Sequence, residues 1–223
     1  MAAEDRVRWD EIYRKFARQP YPAPDPFLLE HTPIIPADSE YYALDLAGGM
    51  GQNGLWLAEQ GYITDVMDIS RVALYRARVE MTVRNLRNVN LLQIDIDTLD
   101  LQPYHYDIVC VFRYLRRDTL PTIRQAVKPG GRVIYESYNL EYLTQVPEFN
   151  ARFLLQHNEL LDNFQGWEVV VHEEDEHITR LTAIRPEESE SVVKARQAQY
   201  EQAHQPADAD TPEVEHKDDT FKW

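Results

Sequence analysis

Seven short apolar runs recur along this chain, and only four residues separate the last two. The runs are residues 41–47 (YYALDLA), 63–68 (ITDVMD), 89–95 (VNLLQID), 106–112 (YDIVCVF), 132–138 (RVIYESY), 167–173 (WEVVVHE) and 178–184 (ITRLTAI). Amphipathic stretches fill the earlier gaps. Residues 51–60 read as a helix. Ser70 is placed to cap the next one, in which Leu74, Ala77 and Met81 share a face. Residues 118–127 precede Lys128-Pro129-Gly130-Gly131, a helix-stop and turn signal. Strands alternating with helices predict parallel pairing with helices on both faces. The last gap, EDEH, cannot hold a crossover helix, so the final pair is antiparallel. The expected fold is α/β: a doubly wound, seven-stranded, mostly parallel sheet with one antiparallel strand near its edge.

The chain has 223 residues and one cysteine, Cys110, which rules out an internal disulfide framework and a cysteine-built zinc site. Cys110 lies inside an apolar run and reads as a buried small hydrophobe. No apolar run approaches the length of a membrane span, and MAAEDRVRWDEIYRKF lacks the apolar stretch of a signal peptide. A cytoplasmic location is the expectation. The net charge of −15 argues against nucleic acid or an anionic membrane as partner. Residues 187–223 hold ten acids and four bases, a net of −6. We read them as an acidic tail, one helix over 187–203 and then disorder, with no partner identified. Residues 35–186 are the expected domain, and residues 1–34 a helical cap.

The first strand ends in Asp45-Leu46-Ala47-Gly48-Gly49-Met50-Gly51-Gln52-Asn53-Gly54. Glycines allow a tight turn and close ligand approach, and the following helix offers free N–H groups. Two readings compete. Gly49, Gly51 and Gly54 satisfy G-x-G-x-x-G, with Asp68 19 residues beyond Gly49 as a dinucleotide ribose site needs. Against this, Asp45 places a carboxylate where a pyrophosphate is disfavoured and a cationic amino group is suited. The closing hairpin also has no place in the usual dinucleotide fold.

Over residues 40–185 the chain resembles the class I S-adenosylmethionine-dependent methyltransferases. The resemblance rests on DLAGGMG, the acid of VMD, the Asp95-Ile96 pair, YDIVCVF and VKPGGRVIYES. Ala47 stands where the family's turn has its first glycine. FRYLRRDTLPTIRQAVKPGG and FLLQHNELLDNFQGWEVVVHEED are similar to a bacterial tellurite-resistance-like or thiopurine-methyltransferase-like subgroup, whose labels describe small-molecule methylation. The resemblance implies a Rossmann-like methyltransferase fold with S-adenosyl-L-methionine as cofactor. Asp68 would then accept from the ribose hydroxyls. Asp95, Ile69 and Ile96 would border the adenine. Ala47, Gly48, Gly49 and Gly51 would offer backbone to the methionine moiety, with Asp45 orienting its amino end. Asn53 either touches the cofactor or caps a helix. Trp9, Tyr13 and Phe16 share one helical face, and in the subgroup a W-x-x-x-Y helix covers the cofactor.

Phe112 ends the fourth strand and Arg113 follows it, where the methyl-bearing sulfur would lie. Arg113 is expected to hold an anionic acceptor or the cofactor carboxylate. Glu136 and Tyr138 close the fifth strand at the same edge, so Arg113 and Tyr138 are the candidate catalytic residues. No metal site is expected. The leading function is in-line methyl transfer to a small-molecule acceptor. Its rivals are an NAD-dependent oxidoreductase using the glycine turn and a non-catalytic cofactor-binding module.

Overall fold

Each apolar run is a strand in the computed structural model, which describes residues 2–36 and 38–204. The strands are β1 (Tyr42–Leu46), β2 (Ile63–Asp68), β3 (Val89–Gln93), β4 (Tyr106–Phe112), β5 (Val127–Tyr138), β6 (Glu168–Asp175) and β7 (Ile178–Ile184). They form one sheet in the order β3-β2-β1-β4-β5-β7-β6. β1 to β5 pair in parallel, and β7 runs antiparallel to both neighbours. The reversed strand therefore lies one place in from the edge. Only Glu176 and His177 separate β6 from β7. The helices are α1 (Ala2–Lys15), α2 (Pro26–His31), α3 (Gln52–Glu59), α4 (Arg71–Val83), α5 (Leu120–Ala126), α6 (Glu159–Asn163) and α7 (Glu190–Ala203).

Alternation along the strands builds two cores. Leu44, Leu46, Val109, Val111, Val133 and Tyr135 face one side with Leu120 and Ile123 of α5. Ala43, Ile108, Cys110 and Ile134 face the other, against Phe27 and Leu28 of α2, Leu57 of α3 and Tyr62. Ser70 caps α4 by accepting from the Ala73 N–H at 3.2 Å. Leu74 and Ala77 are buried beneath it.

The Lys128–Gly131 signal does stop α5, which ends at Ala126. The expected turn, however, is a wide bulge inside β5. Tyr106 pairs with Val127, and the next pairing is Ile108 with Arg132. Asp107, the residue opposite the bulge, bonds the Lys128 ammonium at 2.7 Å. Gly130 takes a φ of 74° and donates to the Arg185 carbonyl, while Arg185 donates back to Gly131. The hydrogen bonds of a neighbouring strand thus hold as sheet a segment whose composition reads as a loop.

Residues 187–203 carry contacts to the body of the protein. Tyr104 donates to Glu188 at 2.9 Å, Gln197 donates to the Tyr104 carbonyl at 3.4 Å, and Arg196 lies over the Tyr104 ring. The stretch read as disordered beyond His204 lies outside the described residues.

The order reverses between β1 and β4, so their carboxyl ends flank a crevice. In open α/β sheets that crevice is where ligands bind.

Candidate active site

The turn after β1 is held in left-handed backbone: φ is 55° at Ala47, 57° at Gly49 and 79° at Gly51. At Ala47 this costs about 1–2 kcal/mol that a glycine would avoid. A side chain at Gly48 would place its Cβ 2.6 Å from Asp45 Oδ2, and one at Gly49 would strike the Tyr13 hydroxyl. Gly48 thus has no room for a side chain, and at Gly49 one would displace Tyr13 and bear the strain of a φ of 57°. Asp45 is buried beneath the turn. Its Oδ2 accepts from the Gly54 N–H at 2.8 Å, and Cys110 Sγ lies 3.6 Å from Oδ1. Burial pushes the Asp45 carboxyl up to about 6. Burial, and then Asp45, push the Cys110 thiol well up, so it is no thiolate nucleophile.

Asp45 gives a pH signature. Its native value lies above the ordinary 3.8. Folding therefore takes up a proton between these values, and the carboxyl lowers stability as pH rises through that window. Above about 6 the full cost is present, about 3 kcal/mol at most. Asp45→Asn keeps an acceptor for Gly54 without the charge. We expect it to exceed wild type in stability at pH 7.5 by about 1–3 kcal/mol, with the gap closing near pH 4. Urea denaturation at both pH values checks this; an equal gap at both would exclude a titrating Asp45.

Asp68 ends β2 and is buried. Its Oδ2 accepts from the Gly49 N–H at 2.8 Å and its Oδ1 from the Ser70 N–H at 2.7 Å. One carboxylate thus ties the glycine turn to the cap of α4. Burial raises its proton affinity, against the lowering effect of those amides. Ile69 and Asp95 are half-buried in neighbouring loops, joined where Gln93 donates to the Ile69 carbonyl at 3.2 Å. Ile96 is buried in the core on the α5 side.

The N-terminal segment crosses this edge and is fastened along its length. Asp10 accepts from the Ser70 hydroxyl at 2.7 Å and from the Val72 N–H at 3.1 Å. Arg76 donates to the Phe16 and Gln19 carbonyls. Tyr21 donates to the Met50 carbonyl at 2.6 Å, and the Asp25 N–H donates to Asn53 Oδ1 at 2.8 Å. Asn53 is therefore engaged by the cap segment. Tyr13 lies on Gly49, with Trp9 at 6.0 Å between ring centroids. Burial, then the charges of Asp68 and Asp45, push the Tyr13 phenol up. Phe16 falls past the end of α1 and is exposed.

Beside the turn, across β4, Glu136 is buried and clasped by two arginines. Arg113 and Arg180 each bond one of its carboxylate oxygens. Arg113, at φ 57°, also lies 5.3 Å over the Tyr138 ring and 3.9 Å from Asp25 Oδ2. Tyr138 stacks on Tyr142 at 4.1 Å. A cavity of about 380 Å³ opens here, lined by Asp25, Phe27, His31, Arg113, Glu136 and Arg180. Phe112 packs beside it in the α2-side core. The Arg113 charge is thus already compensated from within the protein. An anionic acceptor would have to share it with Glu136.

Sequence reasoning missed Tyr21, Asp25, Arg180 and Gln52. Gln52 Oε1, on the first residue of α3, is buried without a hydrogen-bond partner. Tyr21, Asp25 and Arg180 belong to no motif, and Gln52 fills a variable position of the glycine turn. Arg180 meets Glu136 only through the β5–β7 register. Among the described residues no acid, histidine and cysteine group is arranged to hold a metal, and no helix is long and apolar enough to cross a membrane.

The family model described as tellurite resistance protein TehB matches residues 34–189. The chain belongs to the TehB family. The crystal structure of TehB from Haemophilus influenzae is 17% identical, with a TM-score of 0.63 over 79% of this chain and 67% of that one. A structure described as the conversion of a disulfide bond into a thioacetal group during echinomycin biosynthesis is 21% identical. Its TM-score is 0.65 over 87% of this chain and 97% of that one. An S-adenosylmethionine-dependent methyltransferase from Mesorhizobium loti is 16% identical, with a TM-score of 0.58 over 72% of this chain and 96% of that one. No curated protein matches the sequence. The TehB match spans the glycine turn, Asp68, Asp95 and the Arg113–Glu136–Arg180 cluster, and the fold is that of the class I methyltransferases.

Proposed function

We propose that this class I S-adenosylmethionine-dependent methyltransferase moves a methyl group to a small-molecule acceptor seated in the Arg113–Glu136 cavity. The observation that carries the reading is the pair of buried carboxylates, Asp45 and Asp68, at one glycine turn. The residues present fit the cofactor. Two carboxylates and the unpartnered Gln52 oxygen are acceptors, suited to ribose hydroxyls and an ammonium and unsuited to a pyrophosphate. In this reading Asp68 holds the ribose, and Ile69, Asp95 and Ile96 border the adenine. Ala47, Gly48, Gly49, Gly51, Asp45 and Gln52 serve the methionine end. Tyr13 and Trp9 roof the site. Asn53 acts indirectly, by fastening the cap segment through Asp25.

The bound cofactor supplies a sulfonium methyl group. The protein's part is to orient the acceptor in line and exclude water. Arg113 lines the cavity, with Tyr138 under its guanidinium and Phe112 packed in the core beside it. Glu136 is committed to two arginines and makes a poor base. This favours a soft acceptor such as a thiol or selenol, which ionises without a dedicated base.

Calorimetry with S-adenosylmethionine and with NAD, followed by methyl transfer to a thiol, selenite and phenol panel, tests the reading. We expect S-adenosylmethionine to bind, NAD not to bind, and methylated thiol or selenite to appear. Binding of NAD alone would restore the dinucleotide reading. Binding of S-adenosylmethionine without transfer to any acceptor would leave a non-catalytic module.

A further inference from the structure

A second cleft, of about 760 Å³, lies at the opposite edge of the sheet from the glycine turn. The end of α5, the turn from α6 into β6, and α7 enclose it. Arg124, Arg185, Arg196, Trp167, Tyr200 and His204 line it.

Three guanidiniums converge there. Arg185 is 8% exposed; it donates to the Arg124 and Val127 carbonyls and to the Tyr104 hydroxyl, and it pairs with Glu188 at 2.8 Å. Arg124 donates to the Asn163 and Gln165 carbonyls and lies over Phe164 and Trp167. Arg196 bonds the Tyr104 hydroxyl and reaches Glu188 only at 3.9 Å. His204 is paired with Asp100 at 2.6 Å.

The carbonyls explain where the hydrogen bonds of Arg124 and Arg185 go, since arginines satisfy the last turns of α5 and α6. They do not balance the charge, because a helix end carries only about half a unit. Among the described residues Glu188 pairs with Arg185 and Arg196 and no carboxylate pairs with Arg124, while Asp100 is taken up at the Tyr200–His204 end of the cleft. Burial, and then Arg185, push the Arg124 guanidinium down. On a chain of net −15, this is a concentrated positive site with aromatic walls.

We propose that this cleft binds a phosphate-bearing small molecule with an aromatic or heteroaromatic part. The forked geometry of Arg124 and Arg196 matches phosphate oxygens. Trp167, under Arg124, and Tyr200, stacked on His204, supply aromatic lining beside the organic part. The volume is that of a small-molecule site and exceeds what a bare anion fills. The site is independent of the methyl-transfer reading, because none of its residues touches the turn.

The test uses the full chain, with inorganic phosphate and phenyl phosphate as probes in calorimetry at constant ionic strength. Phenyl phosphate should bind saturably and more tightly than phosphate. Arg196→Glu, at a half-exposed position, should weaken phenyl phosphate roughly tenfold or more while leaving S-adenosylmethionine affinity unchanged. Arg124→Gln is the second variant and should weaken it likewise. The absence of saturable binding, or equal binding to both variants and wild type, would overturn the proposal. Equal affinity for the two probes would remove its aromatic half.

Discussion

Replacing Asp68 with alanine is expected to weaken S-adenosylmethionine binding about 10- to 100-fold. The carboxylate stands at the end of β2, and its two oxygens already accept from Gly49 and Ser70 while keeping lone pairs for further donors. A hydrogen bond to a charged group contributes about 1.5–3 kcal/mol, and each 1.4 kcal/mol is a factor of ten. The alanine variant also releases two backbone amides, so its melting temperature should fall. Asp68→Asn separates the two effects. It retains one acceptor oxygen and should hold the fold better while still binding weakly. Calorimetry on a folded Asp68→Asn protein with wild-type affinity would sink the ribose assignment.

Removing Glu136 is expected to have the largest effect on stability. Its side chain is 2% exposed and bonds Arg113 and Arg180 together. Breaking a buried ion pair by deleting one partner costs about 3–5 kcal/mol, because a charge is left without compensation. Here the arginine side chains are 37% and 27% exposed and can turn toward water. That places Glu136→Ala near 2–3 kcal/mol, a melting drop of roughly 5–12 °C for a chain of this size. Glu136→Gln should lie between the variant and wild type. Arg113→Ala should cost less, because Arg180 still holds the carboxylate. Its informative reading is kinetic: cofactor affinity should hold while the acceptor's Michaelis constant rises. A Glu136→Ala protein as stable as wild type would mean that the pair is dissolved in solution.

The sheet was legible because its signals are local. Strand-length apolar runs, the four-residue gap before the last strand and the Ser70 cap each act within a few residues. The glycine turn, Asp45 and Asp68 were legible for the same reason, lying within one βα unit and at the end of the next strand. What escaped was set by register and long-range contact. Lys128–Gly131 reads as a loop until Arg185, the residue after β7, supplies partners for its backbone. Arg113 reads as the holder of an acceptor or of the cofactor carboxylate until β5 carries Glu136 to its side, where β7 adds Arg180 on the other carboxylate oxygen. Asn53 reads equally as a ligand contact or a helix cap, and nothing in the sequence signals that the Asp25 N–H, 28 residues earlier, takes its oxygen. Tyr21 and Arg76 form no pattern at all, because their partners are carbonyls, which every residue has.

The fastening of the N-terminal segment has a consequence in time. Asp10 grips the Ser70 hydroxyl, and Ser70 is the residue whose N–H Asp68 holds. Tyr13 rests on Gly49, and Tyr21 on Met50. On the proposed reading, a cofactor seated against that turn lies under α1 and leaves when α1 lets go. Several polar anchors must then release together, and its residence time is set by how often they do. Reciprocity runs the other way as well: an occupant that tightens the turn retains the segment by the same factor. In the proposed reading, access to the chemistry and departure from it are thus timed in part by Asp10 and Tyr21, which take no part in either reaction partner's binding.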